Sequence, residues 1–285
     1  MFDSSTYRND PQYLNANQYR DSGNLSSRIQ IHQKFSTGQQ PWNDFIFELA
    51  ALKPGARVLE LGCGSAALWR SVVNRVSEST QITLTDFSLG MIKDAADSLG
   101  RDTRFQFVCM DSMNITFMPA TFDLVIANHM LYHLPSVSQA LRQISALLLP
   151  EGKFMAATNG PEHMLDLDIL LAKFSRKLEI GHRMSSGFNL LNGERQLREF
   201  FTDIELHLYT SDLWVTNAQL LTNYAYSTPL VKEMMGDEGR KEMTAFFQRR
   251  IDHYGGISIR KQTGVYLSKN PMSKPSLGGG SAKRG

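Results

Sequence analysis

Two glycines and a downstream acid are the residues whose spacing most clearly suggests chemistry. Gly62 and Gly64 follow the apolar segment Arg57–Leu61, which is predicted to be a buried strand. Glycine lets the backbone turn tightly at a strand end and approach a ligand closely. Asp86 ends a second apolar segment about 22 residues later, where a carboxylate can accept both hydroxyl groups of a ribose. The alternative for Asp86 is an N-cap of a helix that begins near Ser88.

Two further acids narrow the kind of ligand. Glu60 precedes the glycines, where a carboxylate would repel the pyrophosphate of a dinucleotide and attract an ammonium group. Asp111 follows a third apolar segment and could accept a hydrogen bond from the exocyclic amine of an adenine. An ordinary turn residue is an equal alternative for Asp111.

The segment after the fourth predicted strand holds the candidates for catalysis, because open parallel sheets place their chemistry outside the carboxyl ends of the strands. His129 could act as a general base towards a hydroxyl acceptor, and a packing role is equally open. Tyr132 could orient a substrate or pack. Three further pocket candidates come from later segments: Asn159, His163 and Trp214.

These residues need a sheet that brings several strand ends together. Short apolar segments alternate with helical ones and predict five strands, at residues 57–61, 81–85, 104–109, 122–127 and 153–158. This alternation predicts a parallel sheet with helices on both faces. After residue 160 the pattern predicts helices at 163–178, 194–201 and 217–254, and strands at 204–209 and 257–267.

Composition excludes several classes of protein. The chain has 285 residues, of which 42% are hydrophobic, so a disordered, collagen-like or disulfide-stapled protein is excluded. The net charge of +2 comes from residues 271–285, which carry three basic residues and no acid, and the remainder sums to −1. A basic surface for nucleic acid is therefore not expected.

The sequence shows no pattern typical of a membrane helix, a signal peptide or a metal site. No apolar segment approaches the roughly 18 residues of a membrane helix, and the N-terminal segment lacks a signal-peptide pattern, so we expect a cytoplasmic protein with no membrane partner. Cys63 and Cys109 belong to no metal-binding pattern, so no metal is expected. Both cysteines are predicted to be small buried side chains.

Five segments together resemble a class I S-adenosylmethionine-dependent methyltransferase: ELGCGSA (60–66), TDFS (85–88), CMDS (109–112), FDLVIANHMLYHLP (122–135) and LLPEGKFMAATNG (148–160). They are most similar to the small-molecule branch that includes ubiquinone-type methyltransferases, over about residues 40–160. The resemblance implies an α/β fold with a Rossmann-like, seven-stranded, mostly parallel sheet whose last strand, at 257–267, is antiparallel. It also implies four regions: an N-terminal helical arm (1–40), a cofactor-binding core (41–160), the remaining strands with helical lid insertions (161–269), and a flexible tail (270–285).

The resemblance further implies S-adenosyl-L-methionine as cofactor and S-adenosyl-L-homocysteine as product. The residues implied in cofactor binding are Tyr19, Arg28, Glu60, Gly62, Cys63, Gly64, Asp86, Phe87, Asp111, Ser112, Met113 and Asn128. Ala66 departs from the family pattern, which usually has a third glycine there. The implied reaction is in-line transfer of a methyl group, with His129 and Tyr132 as the catalytic candidates. The aromatic side chains after residue 160 suggest a small, largely apolar acceptor.

Other functions share parts of this pattern. A nicotinamide dehydrogenase is disfavoured by Glu60, by Ala66 and by the acid after the third strand. A nucleic-acid or protein methyltransferase remains an alternative. So does a relative that keeps the fold as a cyclase or a binding protein.

Overall fold

A computed structural model of the chain describes residues 22–178 and 187–272. The strands formed within these ranges are β1 (Arg57–Leu61), β2 (Gln81–Asp86), β3 (Phe105–Cys109), β4 (Phe122–Asn128), β5 (Leu148–Asn159), β6 (Phe201–Tyr209), β7 (Leu213–Val215), β8 (Ile257–Ile259) and β9 (Thr263–Pro271). Seven of them form one sheet in the order β3-β2-β1-β4-β5-β9-β6, and β7 pairs with β8 in a separate two-stranded sheet.

The pairing register brings the ends of the central strands to one edge of the large sheet. The last residue of β1, Leu61, pairs with Thr85 of β2 and with Ala127 of β4, and these pairs are parallel. β9 is antiparallel to both of its neighbours, and its first residue, Thr263, pairs with Asn159, the last residue of β5. The mostly parallel, seven-stranded sheet with one antiparallel internal strand confirms the predicted fold.

The helices of the described residues are α1 (Ser22–Phe35), α2 (Trp42–Ala50), α3 (Ala67–Val72), α4 (Leu89–Leu99), α5 (Val137–Leu147), α6 (Leu165–Phe174), α7 (Gly193–Leu197), α8 (Ala218–Tyr226) and α9 (Pro229–Tyr254). Short polar side chains begin three of them. Ser88, Ser136 and Asn217 each accept a hydrogen bond from the backbone N–H three residues later, at α4, α5 and α8. Such caps satisfy donors that have no partner within the helix.

Alternate residues of the strands pack into two separate cores, one on each face of the sheet. In β1, Val58 packs with residues of α2, α3 and α4, whereas Leu59 and Leu61 pack with residues of α5. A third apolar cluster joins α1, α6, α8 and α9 to the β7–β8 sheet. These four helices and the β7–β8 sheet therefore form a cap, which has an apolar core of its own.

The predicted strand at 257–267 is wrong as one element, because the chain leaves one sheet and enters another between β8 and β9. Two carboxylates from other parts of the chain accept hydrogen bonds from the backbone N–H groups of this connection. Asp166 accepts from the N–H of Arg260, and Asp212 accepts from the N–H of Lys261, both at 2.9 Å. Those N–H groups are thus lost to a strand ladder.

Other predictions need smaller corrections. The helix predicted at 194–201 ends at Leu197, and the one predicted at 163–178 is α6 followed by a separate 3-10 turn at Arg176–Leu178. Cys63 is buried as predicted, but Cys109 is exposed, because it ends the edge strand β3. In the part of the chain that the structure describes, no helix is long and apolar enough to cross a membrane.

Candidate active site

The loop between β1 and α3 lies at the edge where the strand ends meet. Gly62, Gly64 and Ala66 all have positive φ, at 65°, 54° and 57°. Two features disfavour a side chain at Gly62. Its backbone is left-handed, and a Cβ there would lie 2.9 Å from the Cβ of Met130. Ala66 adopts the same region at a cost, because Cβ crowds the backbone there. The loop thus turns sharply at the end of β1, with the side chain of Met130 against Gly62.

Asp86 links this loop to the start of α4. Its Oδ2 accepts from the N–H of Gly64 and its Oδ1 from the N–H of Ser88, both at 2.9 Å. The N-cap of α4 is Ser88 and not Asp86, because the hydroxyl of Ser88 accepts a hydrogen bond from the N–H of Met91 at 3.3 Å. Burial raises the pKa of Asp86, and the two backbone donors oppose that rise. Each carboxylate oxygen has a second lone pair, so the hydroxyls of a ribose can still be accepted.

Glu60 is 2% exposed, and its Oε2 accepts a hydrogen bond from Nε1 of Trp69 at 2.6 Å. Burial raises the pKa of Glu60 to about 8, with a further contribution from the charge of Asp86 and opposition from the Trp69 hydrogen bond. The free protein therefore holds Glu60 largely protonated at neutral pH. The sequence reasoning assumed an anionic side chain, so the charge on Glu60 now depends on what binds beside it.

The residues after β3 form a turn. Oδ1 of Asp111 accepts from the N–H of Met113 at 2.8 Å, and Oδ2 accepts from the side chain of Asn114 at 3.4 Å. Ser112 is buried, whereas Phe87, beside Asp86, is 43% exposed. These contacts fit the turn-residue alternative for Asp111, and contact with an adenine stays a prediction.

The turn after β4 holds a strained histidine. His129 has a φ of 60°, and its ring centroid lies 5.1 Å from that of Trp42 and 6.4 Å from that of Tyr132. Its Nδ1 is buried with no hydrogen-bond partner among the described residues. Burial lowers the pKa of His129 to about 4, and the charge of Lys261 adds to this effect. Strained backbone at a strand end is frequent in functional sites.

Asn128 is held by the indole of Trp42, whose Nε1 donates to Oδ1 of Asn128 at 3.3 Å. Arg28 was implied at the cofactor carboxylate. In the structure its Nε donates to Oγ of Ser227 at 2.9 Å and its Nη2 donates to the carbonyl of Ser227 at 3.1 Å. Tyr19 lies outside the described residues. The roles of these three residues towards a cofactor stay predictions.

Sequence reasoning missed three residues near His129: Trp42, His32 and Lys261. Trp42 was assigned only to an apolar stripe of α2, and no local pattern marks His32 or Lys261. Of the later candidates, Asn159 and His163 meet at Oγ1 of Thr263, at 2.9 and 3.1 Å. Trp214 is 45% exposed on β7.

Comparisons with known proteins find a family, sequences and a fold to which this chain is similar. Residues 59–156 match the family described as "Methyltransferase domain". A ubiquinone/menaquinone biosynthesis C-methyltransferase of Ectopseudomonas mendocina is 30% identical over 117 residues, which are 40% of this chain and 46% of that protein. A sterol 24-C-methyltransferase of Gibberella zeae is 25% identical over 216 residues, which are 75% of this chain and 55% of that protein.

A solved structure has the same fold. Phosphoethanolamine N-methyltransferase 2 of Haemonchus contortus, in complex with S-adenosyl-L-methionine, superposes with a TM-score of 0.58 at 17% identity, covering 92% of this chain and 60% of that one. The chain spans about half the length of the curated relatives it matches.

Proposed function

We propose that this chain, which carries a methyltransferase domain at residues 59–156, transfers a methyl group from S-adenosyl-L-methionine to a small-molecule acceptor. The observation that carries the proposal is the position of Asp86. Its carboxylate lies at the carboxyl end of β2 and is tied by a hydrogen bond to the glycine loop that follows β1. A ribose acceptor and a close-approach loop are thus held in one rigid unit, as binding of a nucleoside requires.

The residues that would hold the cofactor are those of the three strand ends. The loop from Gly62 to Gly64 would face its methionine side, Asp86 its ribose hydroxyls, and the turn from Asp111 to Met113 its adenine. The residues present suit this group, because the carboxylates of Asp86 and Asp111 are acceptors for hydroxyl and amine donors. The cofactor supplies an electrophilic methyl group on a positively charged sulfur.

The protein's own contribution to methyl transfer is alignment and exclusion of water. In aligned reactions this contributes on the order of 7–11 kcal/mol of barrier lowering. The wall beside His129 suits the task, since Trp42 packs against both His129 and Tyr209 at 5.1 Å between ring centroids. The lowered pKa keeps His129 neutral, so its ring can accept a hydrogen bond from an acceptor hydroxyl, but a pKa of about 4 makes it a weak base for removing that proton. Tyr132, next to His129, would orient the acceptor.

The test is calorimetric titration with S-adenosyl-L-methionine. We expect the parent protein to bind, and Asp86→Ala to bind about tenfold to a hundredfold more weakly, as loss of a charged hydrogen bond predicts. Asp123→Ala is the matched control. Its Oδ2 also accepts a backbone N–H, that of Arg57 at 2.8 Å, but at the opposite edge of the sheet. Equal binding by the parent and Asp86→Ala, or no binding by the parent, would refute the cofactor assignment.

Turnover is tested by release of S-adenosyl-L-homocysteine with a panel of small-molecule acceptors. A cyclase or a binding protein with this fold would bind the cofactor without releasing that product. Nucleic acid and a protein mixture, added as separate panels, test the remaining alternatives.

A further inference from the structure

Four nitrogen-bearing side chains from separate parts of the chain lie together between the cap and the sheet edge. His32 is on α1, His129 follows β4, His163 lies between β5 and α6, and Lys261 lies between β8 and β9. We call these four residues the histidine–lysine cluster.

Ring contacts and one polar contact place these side chains near one another. The ring centroids of His32 and His163 are 6.2 Å apart. Nζ of Lys261 lies 3.4 Å from Oγ of Ser36 and 5.1 Å from the ring centroid of Tyr209. Both Tyr209 and His129 pack against Trp42, so the lysine and His129 share one aromatic wall.

The cluster is partly shielded from water. All four side chains are half-buried by accessible area, and burial lowers the pKa of each. Nδ1 of His32 and Nδ1 of His129 are shielded and have no hydrogen-bond partner among the described residues. Such buried unpaired groups are costly, and a bound ligand is one explanation for them.

His163 lies against the start of β9. Its Nδ1 is 3.4 Å from the backbone N of Gln262 and 3.1 Å from Oγ1 of Thr263. The ammonium of Lys261, close to this ring, is a group that binds an oxygen acceptor.

The charged groups around the cluster are of both signs. The pKa of His32 is lowered to about 3, first by burial and then by Lys261, His129 and Arg28, and no carboxylate contributes. The pKa of His163 is also lowered, first by burial and then by His32, His129 and Lys261. Two carboxylates lie nearby: Asp212 acts on Lys261, and Asp168 on Tyr224, which packs edge-on against His32.

Neither cation of this region is neutralised by an ion pair of the described residues. Arg28 donates to the hydroxyl and carbonyl of Ser227, and Lys261 contacts a hydroxyl and an aromatic ring. Among the described residues, no group of three His, Cys, Asp or Glu is arranged to hold a metal ion.

We propose that the histidine–lysine cluster binds an anionic oxygen group, a carboxylate or a phosphate, of the methyl acceptor. This rests on the proposed function and refines it. The aromatic wall fits the apolar part of an acceptor, while the ammonium of Lys261, which has no ion pair among the described residues, holds its charged end. The acceptor is therefore amphipathic and anionic, whereas the aromatic side chains of the sequence had suggested a largely apolar one.

The experiment is calorimetric titration of three aromatic probes, with and without saturating S-adenosyl-L-homocysteine. Benzoate and phenyl phosphate carry the two anionic groups, and benzamide is the neutral match. We expect at least one anion to bind about tenfold or more tightly than benzamide, and Lys261→Gln to lose about tenfold in that affinity. Lys261→Arg keeps the charge and should retain binding, and Lys93→Gln, an exposed lysine on α4, should bind as the parent does.

Histidine NMR supplies an independent readout. A bound anion raises the pKa of His32 and His163, whereas benzamide does not. Binding of only one anion supports the proposal and identifies the group. Equal affinity for anions and benzamide, or undiminished anion binding by a folded Lys261→Gln, overturns it. If S-adenosyl-L-homocysteine binds and the anions do not, this inference fails and the proposed function stands. If the anions bind and the nucleoside does not, the proposed function fails.

Discussion

Substitution of Glu60 by Gln is expected to stabilise the protein at alkaline pH relative to the parent. Burial raises the pKa of Glu60 from 4.5 to about 8 in the folded protein. Between these two pH values the folded carboxyl keeps a proton that the unfolded chain has released. The free energy of unfolding of the parent therefore falls as pH rises through this interval. Gln has no proton to release, so the variant escapes this loss.

The size of the effect follows from the interval. Each pH unit contributes about 1.4 kcal/mol, so between pH 4.5 and 8 the variant gains on the order of 5 kcal/mol over the parent. Below pH 4.5 the difference should be small, because a neutral Glu and a Gln both offer an oxygen to Nε1 of Trp69.

Urea unfolding at pH 5, 6, 7 and 8, followed by circular dichroism without cofactor, measures this difference. Glu151→Gln is the control, since Glu151 is exposed on β5 and its substitution should not change stability relative to the parent with pH. A difference between Glu60→Gln and the parent that is the same at pH 5 and pH 8 would mean that Glu60 titrates normally. The explanation based on burial would then be refuted.

Three further outcomes follow from the site. Gly62→Ala should lower the free energy of unfolding by about 1–3 kcal/mol in urea unfolding, because it combines a positive φ with a close contact to Met130; an unchanged midpoint would contradict this. Ala66→Gly should raise it by up to about 1 kcal/mol by relieving the left-handed backbone, and a loss of stability would argue against strain. Iodoacetamide should label the exposed thiol of Cys109 well before Cys63, whose pKa burial raises; mass spectrometry of the native protein reads the order, and equal rates would contradict it.

Much of the sheet could be predicted, because its central strands are buried on both faces and appear as continuous apolar segments. The bounds of β1 were predicted as observed, and β2 and β4 each extend one residue beyond their predicted ends. The loop after β1 and Asp86 were found for the same reason: glycines and an acid at strand ends form local patterns. The hydrogen bond between Gly64 and Asp86 then showed that the two features form one unit.

Predictions failed where a distant residue decides the local structure. The segment at 257–267 has the composition of one strand, but Asp166 and Asp212 interrupt it through its backbone N–H groups. Cys109 has apolar neighbours in sequence, but it is exposed because it ends the edge strand β3. The order of strands in a sheet cannot be predicted from one segment alone. Burial raises the pKa of Glu60, and the residue type alone does not indicate that burial.

The chain's local patterns were enough to identify the sheet, the glycine loop and the methyltransferase domain, because each depends on neighbours a few residues away. The histidine–lysine cluster could be recognised only in the folded molecule. His32, His129, His163 and Lys261 share no motif, and they meet because a cap with its own core packs over the sheet edge. Contacts between distant segments, and the desolvation they impose, determine which of the acceptor-side groups are charged and which lack a partner.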